Sequence, residues 1–218
     1  MAKPLTEQEI SSFREELCRI ATQLFAERGY EGVTMRTLAK KAGCSPMTPY
    51  RYFDSKEEIF AIVRAAAFKR LAHACESANR KAENMLQGAS VTSWAYLRFA
   101  MKEPHAYRIM FELSQPDDAA YPELAEAVAR SRHFMYAPLE RMVEEGYLVG
   151  DPVVLSNVFW AGIHGVIILQ LSGKLEDGLD IDNVFRTMLT TLSKGARGPN
   201  FDDIVEMMSK GAAIVEAS

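Results

Sequence analysis

Residues 34 to 60 read TMRTLAKKAGCSPMTPYRYFDSKEEIF, and this stretch decides the fold. Thr34 precedes a short run with helical periodicity, which predicts a capped helix that ends before Gly43. Small residues follow in the turn, and Ser45 is a suitable N-cap for a second short helix that is predicted to run to about Tyr52. Two short helices joined by a tight turn are typical of a helix-turn-helix.

Two prolines, Pro46 and Pro49, fall in the first turn of the second predicted helix. A missing N–H is tolerated there because the first four N–H groups of a helix have no intrahelical partner. The fixed φ angles also stiffen a helix that is too short to be stable alone. A helix of this kind can enter the major groove of a duplex with its N-terminal side chains at the base edges.

Helical periodicity continues along the rest of the chain without convincing strand alternation, so we expect an all-α fold. Thr6 and Glu9 form a capping box before the first helix, which is predicted to end at Gly29. Ser55 and Glu58 form a second capping box. Later helices are predicted at 56–83, 90–102, 104–113, 122–145, 152–172, 181–194 and 201–215.

The charge of the chain is unevenly distributed. The formal net charge is −4 over 218 residues. Between Arg28 and Lys56 there are six basic residues and two acidic ones, so this segment carries +4 and the remainder −8. A local basic excess around a helix-turn-helix indicates contact with nucleic acid phosphates.

Cysteine usage and hydropathy indicate the compartment. Cys18, Cys44 and Cys75 form no C-x-x-C pair, which favours a reducing cytoplasm over a disulfide framework or a zinc cluster. The first ten residues contain no apolar run, so we expect no secretory signal. The uncharged run at 153–173 approaches the length of a membrane span, but its polar side chains favour a buried helix, and no membrane association is expected.

Side chains around the helix-turn-helix have the chemistry that DNA contacts require. Arg36 can donate two hydrogen bonds to guanine, and Met47 and the Thr48 methyl can contact thymine methyls. Lys56 lies beside a helix N-terminus, which favours a phosphate. The alternative is a helical hairpin with a solvated basic face. The candidate DNA-binding residues are Thr34, Arg36, Ser45, Met47, Thr48, Tyr50, Arg51, Tyr52 and Lys56.

Three motifs carry a resemblance to a known family: A-x-x-L-F-A-E-x-G-Y at 21–30, T-x-R-x-L-A-x-x-A-G at 34–43 and Y-R-Y-F-x-S-K-E-E at 50–58. With them, residues 13–60 resemble the DNA-binding domain of TetR-family transcriptional regulators. The resemblance implies a three-helix DNA-binding domain at the N-terminus, joined by a long helix to a larger helical domain for ligand binding and dimerisation. We expect these domains at 1–55 and 56–218.

The resemblance also implies a homodimer that binds a near-palindromic double-stranded DNA operator and releases it when a small molecule, not identified by the sequence, occupies the C-terminal domain. Pro46 and Pro49 depart from the family pattern, in which polar residues or glycine and leucine are more usual at these positions. This departure bears on base preference and leaves the docking mode unchanged.

A second resemblance lies in the C-terminal part, in FAMKEPHAYRIMF at 99–111 and FWAGIHGVIILQLSGKL at 159–175. These segments resemble the TetR subgroup named for its Trp-His-Gly residues, here Trp160, His164 and Gly165. Trp160 and His164 lie one turn apart on one helix face, where His164 could line a cavity. The alternative is a hydrogen-bonded core histidine, because buried polar groups usually have a structural partner. The family implies a homodimer interface formed by the helices at 152–172 and 181–194.

Aromatic and methionine side chains between residues 90 and 142 can form a core or the wall of an effector cavity, and we expect some of them to line a cavity. The four histidines lack metal-ligand spacing, so neither a metal site nor a cofactor is expected. The candidate ligand-binding residues are Trp94, Phe99, Tyr107, Met110, Phe111, Phe134, Asn157, Trp160 and His164.

The sequence therefore predicts a cytoplasmic, ligand-responsive DNA-binding regulator of transcription, a repressor that a small molecule releases from a palindromic operator. Two alternatives stay open: a constitutive DNA-binding protein without an effector, and an enzyme that uses the C-terminal helical cavity. We expect no enzymatic activity because the sequence contains no nucleophile–base pair, no metal-ligand spacing and no phosphate-binding glycine loop.

Overall fold

The computed structural model describes residues 6–111 and 117–201, and these residues are all-α, as predicted. Two 3₁₀ segments, Pro49–Arg51 and Asp118–Ala120, accompany the α-helices. An isolated bridge between Leu148 and Arg197 is the only β-type pairing in the described residues. The helices are α1 Glu7–Arg28, α2 Met35–Lys41, α3 Lys56–Asn79, α4 Met85–Lys102, α5 Pro104–Met110, α6 Pro122–Glu144, α7 Pro152–Leu171 and α8 Ile181–Gly195.

Capping interactions begin α1 and α3 where the sequence predicted them. Thr6 Oγ1 accepts a hydrogen bond from the Glu9 N–H at 3.2 Å, and the Glu9 carboxylate accepts one from the Thr6 N–H at 2.7 Å. Before α3, Ser55 Oγ accepts from the Glu58 N–H at 3.2 Å, whereas the Glu58 carboxylate accepts from the Asp54 N–H at 2.5 Å. Only one of the two hydrogen bonds of the second predicted capping box therefore forms. The Glu58 carboxylate accepts from the Asp54 N–H in place of the Ser55 N–H.

The α3–α4 connection is shorter than predicted. α3 ends at Asn79, and α4 begins at Met85 rather than near residue 90. Asn84 explains the earlier start, because its Oδ1 accepts a hydrogen bond from the Gln87 N–H at 2.9 Å and so caps the helix. The helix predicted at 201–215 lies outside the described residues, apart from residue 201.

The first of two compact units comprises Met1–Lys69 and Glu103–Val128. Its core is aromatic: the Phe25 and Phe60 ring centroids are 4.7 Å apart and nearly edge to face, and Tyr30 lies 4.9 Å from Phe60. In the same unit α5 packs on α1. Burying each such ring stabilises the fold by about 1.5–3 kcal/mol, so this core holds the helix-turn-helix in place.

The second unit comprises Arg70–Lys102 and Ala129–Ser218, in which α4, α7 and α8 pack together. α4 and α8 are joined by Arg98, which donates to both carboxylate oxygens of Asp182 at 2.8 and 2.5 Å. Gly162 allows α7 and α8 to approach closely, because a Cβ there would lie 2.8 Å from the Met188 sulfur. These contacts form the frame around the cavities described below.

The apolar helix α7 is only partly covered within one chain. Among the described residues it is the one helix with the length and hydropathy of a membrane span, yet only 28% of its most apolar window is buried. The sequence predicted a buried helix, but one face of α7 is exposed among the described residues. The exposed apolar side chains on it are Val153, Val154, Val158, Ile168 and Leu169.

Candidate nucleic-acid interface and effector cavity

The turn after α2 has the geometry that the sequence predicted. Thr34 Oγ1 accepts a hydrogen bond from the Thr37 N–H at 3.1 Å and begins the helix. Beyond the helix end Gly43 adopts φ +67°, a conformation that side chains with a Cβ rarely adopt. The Cys44 N–H then donates to the Ala39 carbonyl at 3.0 Å, which closes the turn.

The segment after the turn is a 3₁₀-type turn rather than the predicted α-helix. Three of its hydrogen bonds span three residues: Thr48 N–H to Ser45 O at 2.9 Å, Arg51 N–H to Thr48 O at 3.1 Å, and Tyr52 N–H to Pro49 O at 3.0 Å. The Phe53 N–H also donates to the Pro49 carbonyl at 3.0 Å, at the end of the segment. The prediction that the second proline leaves an α-helix intact was therefore wrong. Pro49 has no N–H, so the Ser45 carbonyl pairs with Thr48 instead of with the residue four positions on.

Most candidate DNA-binding side chains are accessible. Met47 is 68% exposed and Tyr50 is 50% exposed, although large apolar and aromatic groups are usually covered. Thr34, Arg36, Ser45 and Arg51 are also exposed, whereas Thr48, Tyr52 and Lys56 are half-buried. Arg36 in the first turn of α2, the turn after that helix and the 3₁₀ segment Pro49–Arg51 together form a surface that can meet a partner, which we call the recognition surface.

Tyr52 anchors the recognition surface to α1. Its ring lies 4.7 Å from the Phe13 ring, and its carbonyl accepts a hydrogen bond from Arg14 Nη1. The Arg14 guanidinium also lies 4.3 Å above the Phe53 ring. Sequence reasoning did not find Arg14, because a contact across 38 residues leaves no local pattern.

Lys56 binds within its own chain. Its Nζ donates to the Tyr30 carbonyl at 3.1 Å and lies 3.9 Å above the Tyr30 ring. The Tyr30 hydroxyl donates to the Glu57 carboxylate at 2.5 Å. Burial and this hydrogen bond raise the pKa of Tyr30, and the same bond lowers the pKa of Glu57. These contacts fix the start of α3 against the loop that follows α1.

Two further basic side chains, Lys40 and Lys41, are exposed at the end of α2. Sequence reasoning counted them in the basic excess but assigned them no contact. Their position next to the turn adds positive charge beside the recognition surface, where it attracts phosphates.

Two adjoining cavities lie among the described residues of the second unit. The inner cavity, about 50 Å³, is lined by Leu86, Ala89, Ser90, Thr92, Ser93, Phe134, Met135, Pro138, Leu139, Met142, Phe159, Ile163, Leu189 and Ser193. The outer cavity, about 330 Å³, is lined by Asn79, Ala82, Asn84, Met85, Ala89, Thr92, His133, Phe134, Ala137, Pro138 and Arg141. Ala89, Thr92, Phe134 and Pro138 belong to both walls, so the cavities share a boundary.

One of the predicted ligand-binding residues, Phe134, lines both cavities. The other eight do not belong to either wall. Trp94 packs on Phe185 at 5.0 Å, and Phe99 is buried in the second unit. Tyr107, Met110 and Phe111 belong to the first unit.

The Trp-His pair lies on α7 beside the cavity-lining residues of that helix. Trp160 donates to the Tyr96 hydroxyl at 3.3 Å, and its ring centroid lies 5.6 Å from that of His164. Burial lowers the pKa of His164. Asn157 donates to the Val153 carbonyl of its own helix at 2.8 Å.

The His, Cys, Asp and Glu side chains of the described residues bear on whether the chain holds a metal site or a reactive thiol. No group of three or more His, Cys, Asp or Glu side chains there could hold a metal ion. Cys18, Cys44 and Cys75 are free thiols. Burial raises the pKa of Cys75 to about 12 and also raises that of Cys18, so both remain protonated at neutral pH.

Two family models match this arrangement of a helix-turn-helix unit and a cavity-bearing helical unit. Residues 18–63 match the model described as "Bacterial regulatory proteins, tetR family". Residues 92–192 match "Tetracyclin repressor-like, C-terminal domain". The chain belongs to the TetR family. It is accordingly a DNA-binding regulator of transcription of the ligand-responsive type.

Similar proteins include other regulators of transcription. An uncharacterised HTH-type transcriptional regulator of Mycobacterium tuberculosis is 24% identical over 84% of this chain and 80% of its own length. The HTH-type transcriptional repressor KstR2 of the same species is 29% identical over 66% of this chain and 72% of its own length. The structure of a TetR-family regulator from Marinobacter aquaeolei has a TM-score of 0.70 at 18% identity and covers 88% of this chain and 100% of that one.

Proposed function

We propose that this TetR-family protein is a cytoplasmic, non-enzymatic repressor that binds a near-palindromic operator as a homodimer. Residues 1–55 would bind DNA, and residues 56–218 would bind an effector and the second copy. A small molecule in the cavities of the second unit would release the operator. Similar proteins include one named a transcriptional repressor, which matches 66% of this chain, and one named a transcriptional activator, which matches 51% of it. The longer match favours the repressor.

The observation that carries the proposal is the exposure of the recognition surface. Arg36, Met47, Tyr50 and Arg51 are all exposed there, and together they offer hydrogen-bond donors for base edges and phosphates and an apolar group for thymine methyls. A segment held by α1 and by its own backbone hydrogen bonds keeps these groups in place. Little conformational entropy is then lost on binding.

Dimerisation is supported by the uncovered face of α7. Val153, Val154 and Val158 are 54%, 58% and 42% exposed, and Leu169 near the other end of the helix is 43% exposed. Exposed apolar side chains grouped on one helix indicate a protein interface. Packing of α7 and α8 against the same helices of a second copy would bury it. Two copies would then present two recognition surfaces about 34–36 Å apart, one turn of DNA.

Release of DNA requires no chemistry. In one conformation the two recognition surfaces are spaced to fit DNA, and in another they are not. An effector that binds more tightly to the second conformation stabilises it. Operator affinity then falls by the difference between the effector's binding free energies for the two conformations. This reading does not depend on a catalytic group in either cavity.

Binding of the purified protein to the DNA upstream of its own gene tests the proposal. Arg36→Ala should weaken specific binding by about 1–3 kcal/mol. Arg132→Ala is the control, because Arg132 is exposed on α6 and does not line either cavity. Equal affinity of the wild-type protein and Arg36→Ala for the specific site would contradict the proposal.

Lys56 needs a separate measurement because it already contacts Tyr30. If Lys56 also neutralises a phosphate, Lys56→Ala reduces the salt dependence of DNA binding by about one unit of slope. If it serves only as an anchor, Lys56→Ala lowers the free energy of unfolding and leaves the slope unchanged. Transcription in vitro from an operator-bearing promoter then checks repression, and increased transcript on adding protein would identify an activator.

A further inference from the structure

We propose that the effector is an amphipathic carboxylate, with its headgroup in the outer cavity beside Arg141 and its apolar chain in the inner cavity. This inference rests on the proposed function, since it names the class of ligand to which that regulator would respond. It follows from the contrast between the walls of the two adjoining cavities.

The inner cavity is suited to an apolar group. Its walls are mainly aliphatic, aromatic and methionine side chains, among them Phe159, Ile163 and Leu189. Met135 and Met142 also line it, and the three rotatable bonds of methionine let a narrow cavity of about 50 Å³ adapt to a flexible chain. No charged side chain belongs to this wall. A charged ligand group placed there would lose its hydration without gaining a partner.

The outer cavity is suited to an anion. Arg141 and His133 line it together with the amide side chains of Asn79 and Asn84, and no Asp or Glu belongs to its wall. Arg141 also lies 3.4 Å from the carboxylate of Glu145, the residue that follows α6. Both side chains of that pair are largely exposed, so it contributes little and a ligand carboxylate can compete for the guanidinium.

The shared boundary places these two environments within reach of one molecule. Ala89 and Thr92 of α4 face Phe134 and Pro138 of α6 across this boundary, as all four line both cavities. A ligand with a strongly polar, uncharged tail would fit the outer cavity alone, and a purely apolar ligand the inner one alone. A carboxylate on an apolar chain satisfies both.

Isothermal titration calorimetry with the purified full-length protein tests this assignment. The probes are decanoate, its neutral analogue 1-decanol, and butyrate, each below its aggregation concentration. Decanoate should bind at least a hundredfold more tightly than butyrate, because each buried methylene contributes about 0.8 kcal/mol. Decanoate should also bind about fivefold more tightly than 1-decanol, as expected for a partly exposed charge pair.

Arg141→Gln should remove the difference between decanoate and 1-decanol, and Arg132→Gln should preserve it. Ala89→Leu, which fills the shared boundary, should weaken both ligands. Arg141 is exposed, so its variant is expected to fold, and thermal melting of the unliganded proteins checks this. Failure of decanoate to bind, equal affinity for decanoate and 1-decanol, or indifference to Arg141→Gln would each overturn the inference.

The same samples separate this inference from the proposed function. If the wild-type protein binds its upstream DNA but no decanoate, the ligand class is wrong and the regulator remains. If it binds decanoate with the expected dependence on Arg141 but no upstream DNA, the ligand class stands and the proposed repressor does not.

Discussion

Arg64 of α3 is 2% exposed, and its Nη1 lies 2.5 Å from Oδ1 of Asp118. Its Nη2 donates to the Met110 carbonyl at 3.4 Å, at the end of α5, and its guanidinium lies 5.5 Å from the Phe60 ring centroid. Nε has no hydrogen-bond partner in the described residues. A buried guanidinium loses hydration, so Asp118 and the Met110 carbonyl compensate for it and hold α5 and the second 3₁₀ segment to α3.

Asp118→Asn should therefore lower the free energy of unfolding by about 1–3 kcal/mol, because it leaves a buried charge without its counterion. Urea unfolding followed by circular dichroism measures the change. Glu123→Gln is the matched control: Glu123 pairs with Lys69 in the same unit, but both side chains are exposed. That variant should change stability by less than about 0.5 kcal/mol. Similar losses in the two variants would mean that burial does not govern the Arg64 pair.

Tyr30→Phe should make the stability of the protein less sensitive to acid. Glu57 has a pKa below its ordinary value of 4.5 in the folded protein, chiefly because Tyr30 donates to it. Its contribution is therefore present above pH 4.5 and lost as the pH falls through the lower folded value. Without the Tyr30 hydroxyl, the pKa of Glu57 in the folded protein returns toward 4.5. The free energy of unfolding, measured with urea, should therefore fall less between pH 7 and pH 3 than it does in the wild type.

The control for this pH dependence is Tyr136→Phe, which removes a hydrogen bond of 2.9 Å to Glu140 within α6. That bond joins side chains one turn apart on a single helix, so its loss should leave the acid dependence close to that of the wild type. An acid sensitivity of Tyr30→Phe equal to that of the wild type would refute the assignment.

Gly43→Ala and Gly195→Ala should change stability in opposite directions. A Cβ meets no atom within 4 Å at either position, but Gly43 has φ +67° and Gly195 lies in the last turn of α8. Alanine at 43 should lower the free energy of unfolding by about 1–2 kcal/mol, because the backbone there has a positive φ. Alanine at 195 should raise it by up to about 1 kcal/mol, because alanine has a higher helix propensity than glycine. Thermal unfolding checks both signs, and destabilisation by both variants would indicate a cause other than backbone conformation.

Val158→Asp should dissociate the proposed homodimer. A carboxylate on the exposed apolar face of α7 would be desolvated without a partner in the interface, which should raise the dimer dissociation constant by at least about a hundredfold. Val149→Asp is the control, since Val149 is 61% exposed but lies outside α7. Sedimentation equilibrium of both variants measures the effect. If the dimer persists in Val158→Asp, this face of α7 is not part of the interface.

Local features of the chain were predictable because they depend on neighbours in sequence. The caps at Thr6 and Thr34, the end of α2 and the turn at Gly43 depend on hydrogen bonds or φ angles within a few residues. The second helix of the predicted helix-turn-helix was wrong for an equally local reason, because the lost Pro49 N–H was treated as dispensable. A closer count of hydrogen bonds would have predicted the 3₁₀ segment.

The candidate cavity depends on contacts that no local pattern records. Helical periodicity identified apolar side chains on α4, α6 and α7 but not which faces meet. Of the nine ligand-binding candidates, only Phe134 lines either of the two cavities described above. Arg141 and His133 looked like ordinary surface residues of α6 in sequence.

The all-α class, most helix boundaries, the first helix and turn of the helix-turn-helix, and the family could be read from the sequence, since they follow from periodicity, capping and short motifs. Packing between helices, which the sequence does not record, buries Arg64 against Asp118, brings Lys56 to Tyr30, and sets a cationic outer cavity beside an apolar inner one. The reason is physical: periodicity places a side chain on one face of a helix, whereas its partner is set by packing across tens of residues.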